Sequence, residues 1–261
     1  DAEKGPATPM AENFTVEDWE VPDVVDEELR TRVKSLLGSL MFPAGWTRPD
    51  TLYATITLAR HAHNPCKKVL DAAMRILKFL VATKDRGLLF SSDPKDWHGH
   101  SKDQLYAFAD SSWADVKPSR KSTTGFLIFL HGCPIGMRTK QSPIVVGSTA
   151  HAEYVAANLC SEDVLSFRDI MEKLGFPQTG PTPIYEDNTA CIAIAGGKSK
   201  HASRHVDVKY HFLREQVRLL KIVLVPTSTK DQWADCMTKA LGRIKFWEVT
   251  AQFMYFSSEI D

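Results

Sequence analysis

Cysteine is scarce in this chain and follows no recognisable pattern. Cys66, Cys133, Cys160, Cys191 and Cys236 are scattered through 261 residues with no CxxC spacing. That argues against a disulfide-stapled scaffold or a cysteine-rich zinc module and favours reduced, packed thiols in an intracellular setting. Long apolar runs are also missing. None approaches the roughly 20 residues of a membrane-spanning helix, and no charged-then-apolar segment opens the chain, so no membrane partner is expected. Net charge is absent too, because 32 basic and 32 acidic side chains cancel. Bulk charge therefore neither favours nor excludes a polyanionic partner. What remains is ordinary for a globular chain: 43% hydrophobic and 25% charged residues, enough for one large domain or two small ones. The first residue is Asp1 and not Met, so the chain is expected to be a piece of something longer.

The charges cancel in total but not locally. Residues 1–28 carry ten acidic side chains against Lys4 alone, whereas Arg30 to Arg86 holds eleven Lys and Arg against three Asp. Residues 1–27, with Pro6, Pro9 and Pro22, read as an acidic leader, flexible or draped over a surface. Residues 28–87 read as a small helical domain. Its first helix has Leu29, Val33, Leu36, Leu37 and Leu40 on one stripe and is broken at Pro43 and Gly45. A second follows over LYATITLARHA and a third over CKKVLDAAMRILKFLVAT. Residues 88–101 form a polar linker.

From 102 to 261 the pattern changes to three strands (Gln104–Asp110, Gly125–Leu130, Gly136–Gln141) and a long amphipathic helix over Ser148–Leu174. A strand at Pro183–Glu186, helices from Asn188 and over Val206–Leu220, and a strand at Ile222–Val225 follow. Helices at Asp231–Lys239 and Lys245–Phe256 close the chain. This order describes an α/β fold with a mixed five-stranded sheet flanked by helices.

Four acidic residues each sit in a short motif within this second region: Asp110 in YAFADSSWAD, Glu153 in STAHAEYVAA, Asp187 in IYEDNTACIA and Asp235 in DQWADCMTKA. Asp110 ends an alternating strand, Glu153 lies in the first turns of a helix that Ser148 or Thr149 can cap, and Asp187 stands where a strand hands over to a helix. Asp235 lies on a late helix. Gathered together, such carboxylates repel one another unless a hard divalent cation sits among them. Two such ions are a standard means of cleaving phosphodiesters. Asp103, Asp115, Asp163, Asp207 and Asp231 lack such placement and read as turn, capping or surface acids.

Taken in order, ADSSWAD, RKSTTGFLIFL, STAHAEYVAA, YEDNTACIAI, HASRHVDVKYHFLRE and DQWADCMTKAL resemble the ribonuclease H domain of copia-type long-terminal-repeat retrotransposon polyproteins. Upstream, SLLGSLMFPAGWTRPDTLYATITLARHAHNP and DAAMRILKFLVATKDRGLLF are similar to the thumb and connection end of the adjoining reverse transcriptase. The resemblance spans about residues 28–256. It implies a ribonuclease H-like fold after a helical remnant. It also implies Asp110, Glu153, Asp187 and Asp235 as the catalytic, metal-holding carboxylates for two Mg2+ ions, with Mn2+ as a substitute. The implied partner is an RNA–DNA hybrid whose RNA strand is cut to leave 5′-phosphates, and a larger polyprotein or assembly can hold the chain.

Phosphate contacts are expected from Arg120, Lys121, Arg138 and Lys140, and from the basic helices of residues 30–86. Contacts to the RNA 2′-hydroxyls are expected from the neighbourhood of Glu153, from Asn188 and from the Ser122–Thr124 turn. The chain departs from the family at Ser112, where Asp is common. It also has no histidine in the Pro226–Lys230 loop, where many ribonucleases H carry a mobile one. His201, His205 and His211 fit nucleic-acid contact, packing or a zinc site. The polymerase's paired-aspartate motif is not in the chain, so DNA synthesis is not expected of it. Two other readings stay open: a catalytically silent retroelement fragment serving as a structural or binding subunit, and a transposase- or integrase-like nuclease acting on DNA ends.

Overall fold

The structure is a computed structural model that describes residues 5–17, 20–90, 100, 101, 103–116, 119–197 and 211–259. It divides into two compact units, one of Asp1–Leu89 with Lys239–Asp261 and the other of Phe90–Thr238. Among the described residues no helix is long and apolar enough to cross a membrane.

The first unit is built on three helices, α1 (Glu27–Trp46), α2 (Leu52–Ala59) and α3 (Lys67–Ala82). Asp26 caps α1 by accepting from the Leu29 N–H. Val33, Leu37 and Leu40 of α1 meet Leu58 of α2 and Val69, Ala73 and Ile76 of α3 in one core. Helix α1 runs through Pro43 to Trp46 and does not break there. A proline this near the end removes only one intrahelical bond, and the Pro43 carbonyl still accepts from Thr47 at 2.9 Å.

The described part of the acidic leader is draped over this core. Met10 is 4% exposed and belongs to the same core. Arg75 donates to the Thr8 carbonyl at 3.0 Å, and Lys68 pairs with Glu20 at 2.8 Å.

The C-terminal stretch also belongs to this unit, unlike the 102–261 boundary expected from the sequence. Helix α8 (Arg243–Thr250) places Phe246 edge-on to Phe79, and β7 (Tyr255–Phe256) pairs antiparallel with β1 (Arg86–Gly87). Arg86, itself buried, stacks over Trp247 at 4.4 Å, donates to Thr250 and reaches Asp50.

The second unit holds a five-stranded sheet of β2 (Leu105–Val116), β3 (Lys121–Leu130), β4 (Cys133–Gln141), β5 (Thr182–Glu186) and β6 (Ile222–Pro226). Their order is β4-β3-β2-β5-β6. The first three form an antiparallel meander, and β5 and β6 run parallel to β2. This is the mixed five-stranded sheet expected from the order of elements in the sequence.

One sheet face carries Leu105, Ala107, Ala109, Phe126 and Ile128 against Tyr154, Ala157, Cys160 and Val164 of α4 (Thr149–Lys173). Helices α5 (Thr189–Ala195) and α6 (His211–Arg218) close the same core through Cys191, Ala195 and Leu213. Period-two alternation puts Tyr106 and Phe108 on the opposite face, where Phe108 stacks on Trp233 at 4.6 Å and on Tyr185 at 5.0 Å. His201, His205 and Asp207 lie outside the described residues.

Candidate active site

Strand β2 runs six residues past the end expected at Asp110, to Val116, with an irregularity between Ser112 and Val116. Asp115 accounts for the extension. Its carboxylate accepts from the Thr123 N–H at 2.8 Å and the Thr123 hydroxyl at 2.7 Å, tying the bulged strand back to β3. Asp110 thus stands inside a strand and is 2% exposed.

Glu153 comes from the second turn of α4. That helix starts at Ser148, whose hydroxyl accepts from the His151 N–H. Asp187 follows the last residue of β5, and Asn188 caps α5 by accepting from Ala190 and Cys191 at 3.0 Å each. The end of a parallel strand, a helix start and the middle of the meander therefore converge at one point. One carboxylate oxygen from each of Asp110, Glu153 and Asp187 lies within 4.8 Å of the others.

Asp235 is not in that tight group. It opens the short helix α7 (Asp235–Thr238), is 3% exposed, and is linked to the group through its own helix. The Thr238 hydroxyl donates to Oδ2 of Asp110 and also lies 3.2 Å from the Asp235 carbonyl. The approach of α7 has a local cause. Asp110 is paired in register with Gly125, and a Cβ at Gly125 would stand 2.5 Å from the Met237 Cβ and 2.9 Å from the Thr238 Cγ2. The missing side chain is what lets α7 lie on the sheet beside Asp110.

Two further bonds hold the helix down. Thr139 of β4 donates to the Met237 carbonyl at 2.8 Å, and the buried Gln232 donates to the Ala109 carbonyl at 2.9 Å. Gln232 and Thr238 were not singled out from the sequence. Their side chains act through partners more than a hundred residues away, and nothing in DQWADCMTKA marks them.

Glu186, beside Asp187, is fully buried, and burial pushes its carboxyl up to about 8, with Asp110 and Asp187 adding to the rise. Its Oε1 accepts from the Asn188 N–H at 3.0 Å.

The residues expected to touch nucleic acid divide into two sets. Arg120 and Lys140 are exposed, Lys121 is half-buried at the β2–β3 turn, and Asn188 is half-buried beside Asp187. Ser122 and Thr124 are instead buried at 1% and 2%, and both hydroxyls serve the sheet. Ser122 accepts from the Ala114 N–H, and Thr124 donates to the Lys140 carbonyl. Arg138 pairs with Asp163 of α4 at 3.1 Å and lies over the Phe126 ring. Both faces of β3 are covered here, so Ser122, Thr123 and Thr124 are all buried in a stretch that looks polar by composition.

A set of three carboxylate oxygens drawn from separate elements is chemically suited to a hard, oxygen-preferring divalent cation such as magnesium or manganese. The donors lack the sulfur and nitrogen ligands that favour structural zinc.

No family model matches the chain. It is 33% identical over 217 residues to the retrovirus-related Pol polyprotein from transposon RE1 of Arabidopsis thaliana, covering 83% of this chain and 14% of the relative. It is 30% identical over 244 residues to the corresponding polyprotein from transposon TNT 1-94 of Nicotiana tabacum, covering 92% of this chain and 18% of that protein. Among solved structures, LC11-RNase H1, isolated from compost, aligns with a TM-score of 0.40 at 14% identity over 52% of this chain and 93% of its own. The chain spans 14% to 18% of those polyproteins, and its homologues over most of its length are copia-type Pol polyproteins from plant transposons.

Proposed function

We propose that the second unit is a ribonuclease H-type endonuclease that hydrolyses the RNA strand of RNA–DNA hybrids. The convergence of Asp110, Glu153 and Asp187, with their ligand oxygens within 4.8 Å of one another, carries this reading. Homology to retrotransposon polyproteins supports it, since copying RNA into DNA creates such hybrids.

Asp110, Glu153 and Asp187 would hold a pair of magnesium ions, and Asp235 on α7 would complete the set. Bound there, the ions supply a water of lowered pKa and neutralise charge at the departing 3′ oxygen. The chain's own side chains present oxygen ligands from three rigid elements, so the geometry exists before substrate arrives. Burial of Asp110 and Glu153 keeps bulk water from screening their charge. Arg120, Lys121 and Lys140 are placed to meet phosphates, which gives affinity without sequence choice. Asn188 keeps its side-chain amide donors for a 2′-hydroxyl, because its Oδ1 is taken by the cap of α5.

A labelled RNA–DNA hybrid incubated with the full chain and Mg2+ tests the proposal, with Asp110→Asn as control. Cleavage of the RNA strand to 5′-phosphate and 3′-hydroxyl ends by the parent alone is the expected result. No cleavage by either protein refutes it and leaves a structural or binding role. Cutting of a DNA-only duplex points instead to the integrase-like class.

A further inference from the structure

We propose that Thr238 is a positioning residue. Its buried hydroxyl fixes the Asp110 carboxylate in the orientation the metal site needs, and it does so from the helix that carries Asp235. The inference rests on reading the acidic cluster as a metal-holding centre.

Thr238 is fully buried, and its hydroxyl lies against two acceptors, Oδ2 of Asp110 and the carbonyl of Asp235. A hydroxyl has one proton to donate. Neither acceptor can donate in return when Asp110 is ionised, so the proton goes to the closer and charged one, where the bond is stronger. The donor is itself held rigidly. Threonine is stiff about χ1, and its backbone is anchored by Thr139 through the Met237 carbonyl and by Gly125, which leaves no room for α7 to shift inward. Gln232 tethers the segment before α7 to the Ala109 carbonyl, one residue before Asp110.

Asp110 therefore has a fixed donor in Thr238 and two carboxylate neighbours, Glu153 and Asp187. Loss of that donor weakens the hold on the Asp110 carboxylate against its two acidic neighbours. With the donor in place, the group stays set to bind metal, and the position of α7 is coupled to that of β2. Hydrogen bonds of this kind to metal-binding carboxylates typically change metal affinity by about 10- to 100-fold when removed.

The test uses the full chain with Thr238→Val, which lacks the hydroxyl at nearly the same volume, and Thr238→Ser, which keeps it. Mn2+ binding is titrated calorimetrically without nucleic acid, and hybrid cleavage is measured alongside. T238V is expected to bind Mn2+ about tenfold or more weakly, with kcat reduced and KM for the hybrid unchanged, while T238S stays close to the parent. A folded T238V that binds Mn2+ like the parent overturns the proposal. So does a T238S as weak as T238V, since the methyl and not the hydroxyl would then matter. Should T238V lose its cooperative unfolding transition, T238C takes its place, because a thiol is only a weak donor, and the same outcomes apply. Asp110→Asn separates the two levels. If D110N titrates like the parent, the metal-centre reading itself fails; if D110N is weakened and T238V is not, only the role of Thr238 fails.

Discussion

Three carboxylate oxygens within 4.8 Å of one another impose a cost on the metal-free chain. At that separation one pair of full charges repels by about 3 kcal/mol for an effective dielectric near 20. Asp110→Asn removes part of this repulsion while keeping an acceptor for Thr238. In EDTA the variant is expected to be more stable than the parent by on the order of 1 kcal/mol and so to unfold at a higher temperature. Added Mg2+ should then raise the midpoint of the parent more than that of the variant. Equal midpoints in EDTA together with equal Mg2+ responses would contradict the cluster.

The cysteines offer a separate check at this scale. Burial pushes the Cys133 thiol up to about 12 and raises those of Cys160 and Cys191 well above their usual range. Cys133, Cys160, Cys191 and Cys236 are buried and Cys66 is not fully so. Because the thiolate is the reactive form, iodoacetamide at pH 8 should label Cys66 first in the native chain. Early labelling of Cys160 or Cys191, read by mass spectrometry, would show that the α4–sheet core is looser than described.

Among the elements, α7 and α4 bear most directly on the site, and each has one weak point. Gly125→Ala places a methyl 2.5 Å from the Met237 Cβ and 2.9 Å from the Met237 carbonyl oxygen, with sheet on one side and helix on the other. Overpacking of this type costs roughly 1–3 kcal/mol, so urea unfolding should shift by that amount. Hybrid cleavage should fall as well, because relief comes by moving α7 away from Asp110. A G125A chain of unchanged stability would mean that α7 is not seated as described. Ser148→Ala removes the cap of α4 and should cost about 1 kcal/mol. Its effect on metal binding should be small, since Glu153 lies beyond the first turn and its helix is held by Tyr154, Ala157 and Cys160 in the core.

For the whole chain, the two units differ in how they use sequence. The first is assembled from both ends: Phe79 packs on Phe246, Arg86 lies over Trp247 and Phe256, and Trp247 donates to the Ala7 carbonyl. Truncation after Thr238 removes these partners and leaves Arg86 and Asp50 with apolar surface opened beside them. Limited proteolysis of the truncated chain should therefore cut within residues 30–86 faster than in the full chain. Equal cutting rates would show that the C-terminal stretch contributes nothing to that unit.

The acids were singled out because each lies in a local context that limits its options: Asp110 in an alternating strand, Glu153 behind a capping serine, Asp187 at a strand end, Asp235 beside apolar residues; the fold brings the first three together. The long helix and the five strands were legible for a similar reason, since periodicity is a property of neighbours in sequence. Other features needed the tertiary structure. Ser122 and Thr124 look like part of a polar hairpin surface, yet sheet pairing takes up their hydroxyls, while Arg138 pairs with Asp163 and stays 41% exposed. Gln232, Thr238 and Gly125 look unremarkable in sequence, yet they seat the helix beside Asp110. The C-terminal helix resembles a continuation of the second domain until its aromatic residues are seen against Phe79. By itself the sequence determined which residues could bear charge, turn or bury. Only the fold decided which of them meet, because meeting depends on register and packing between segments that chain order does not bring together.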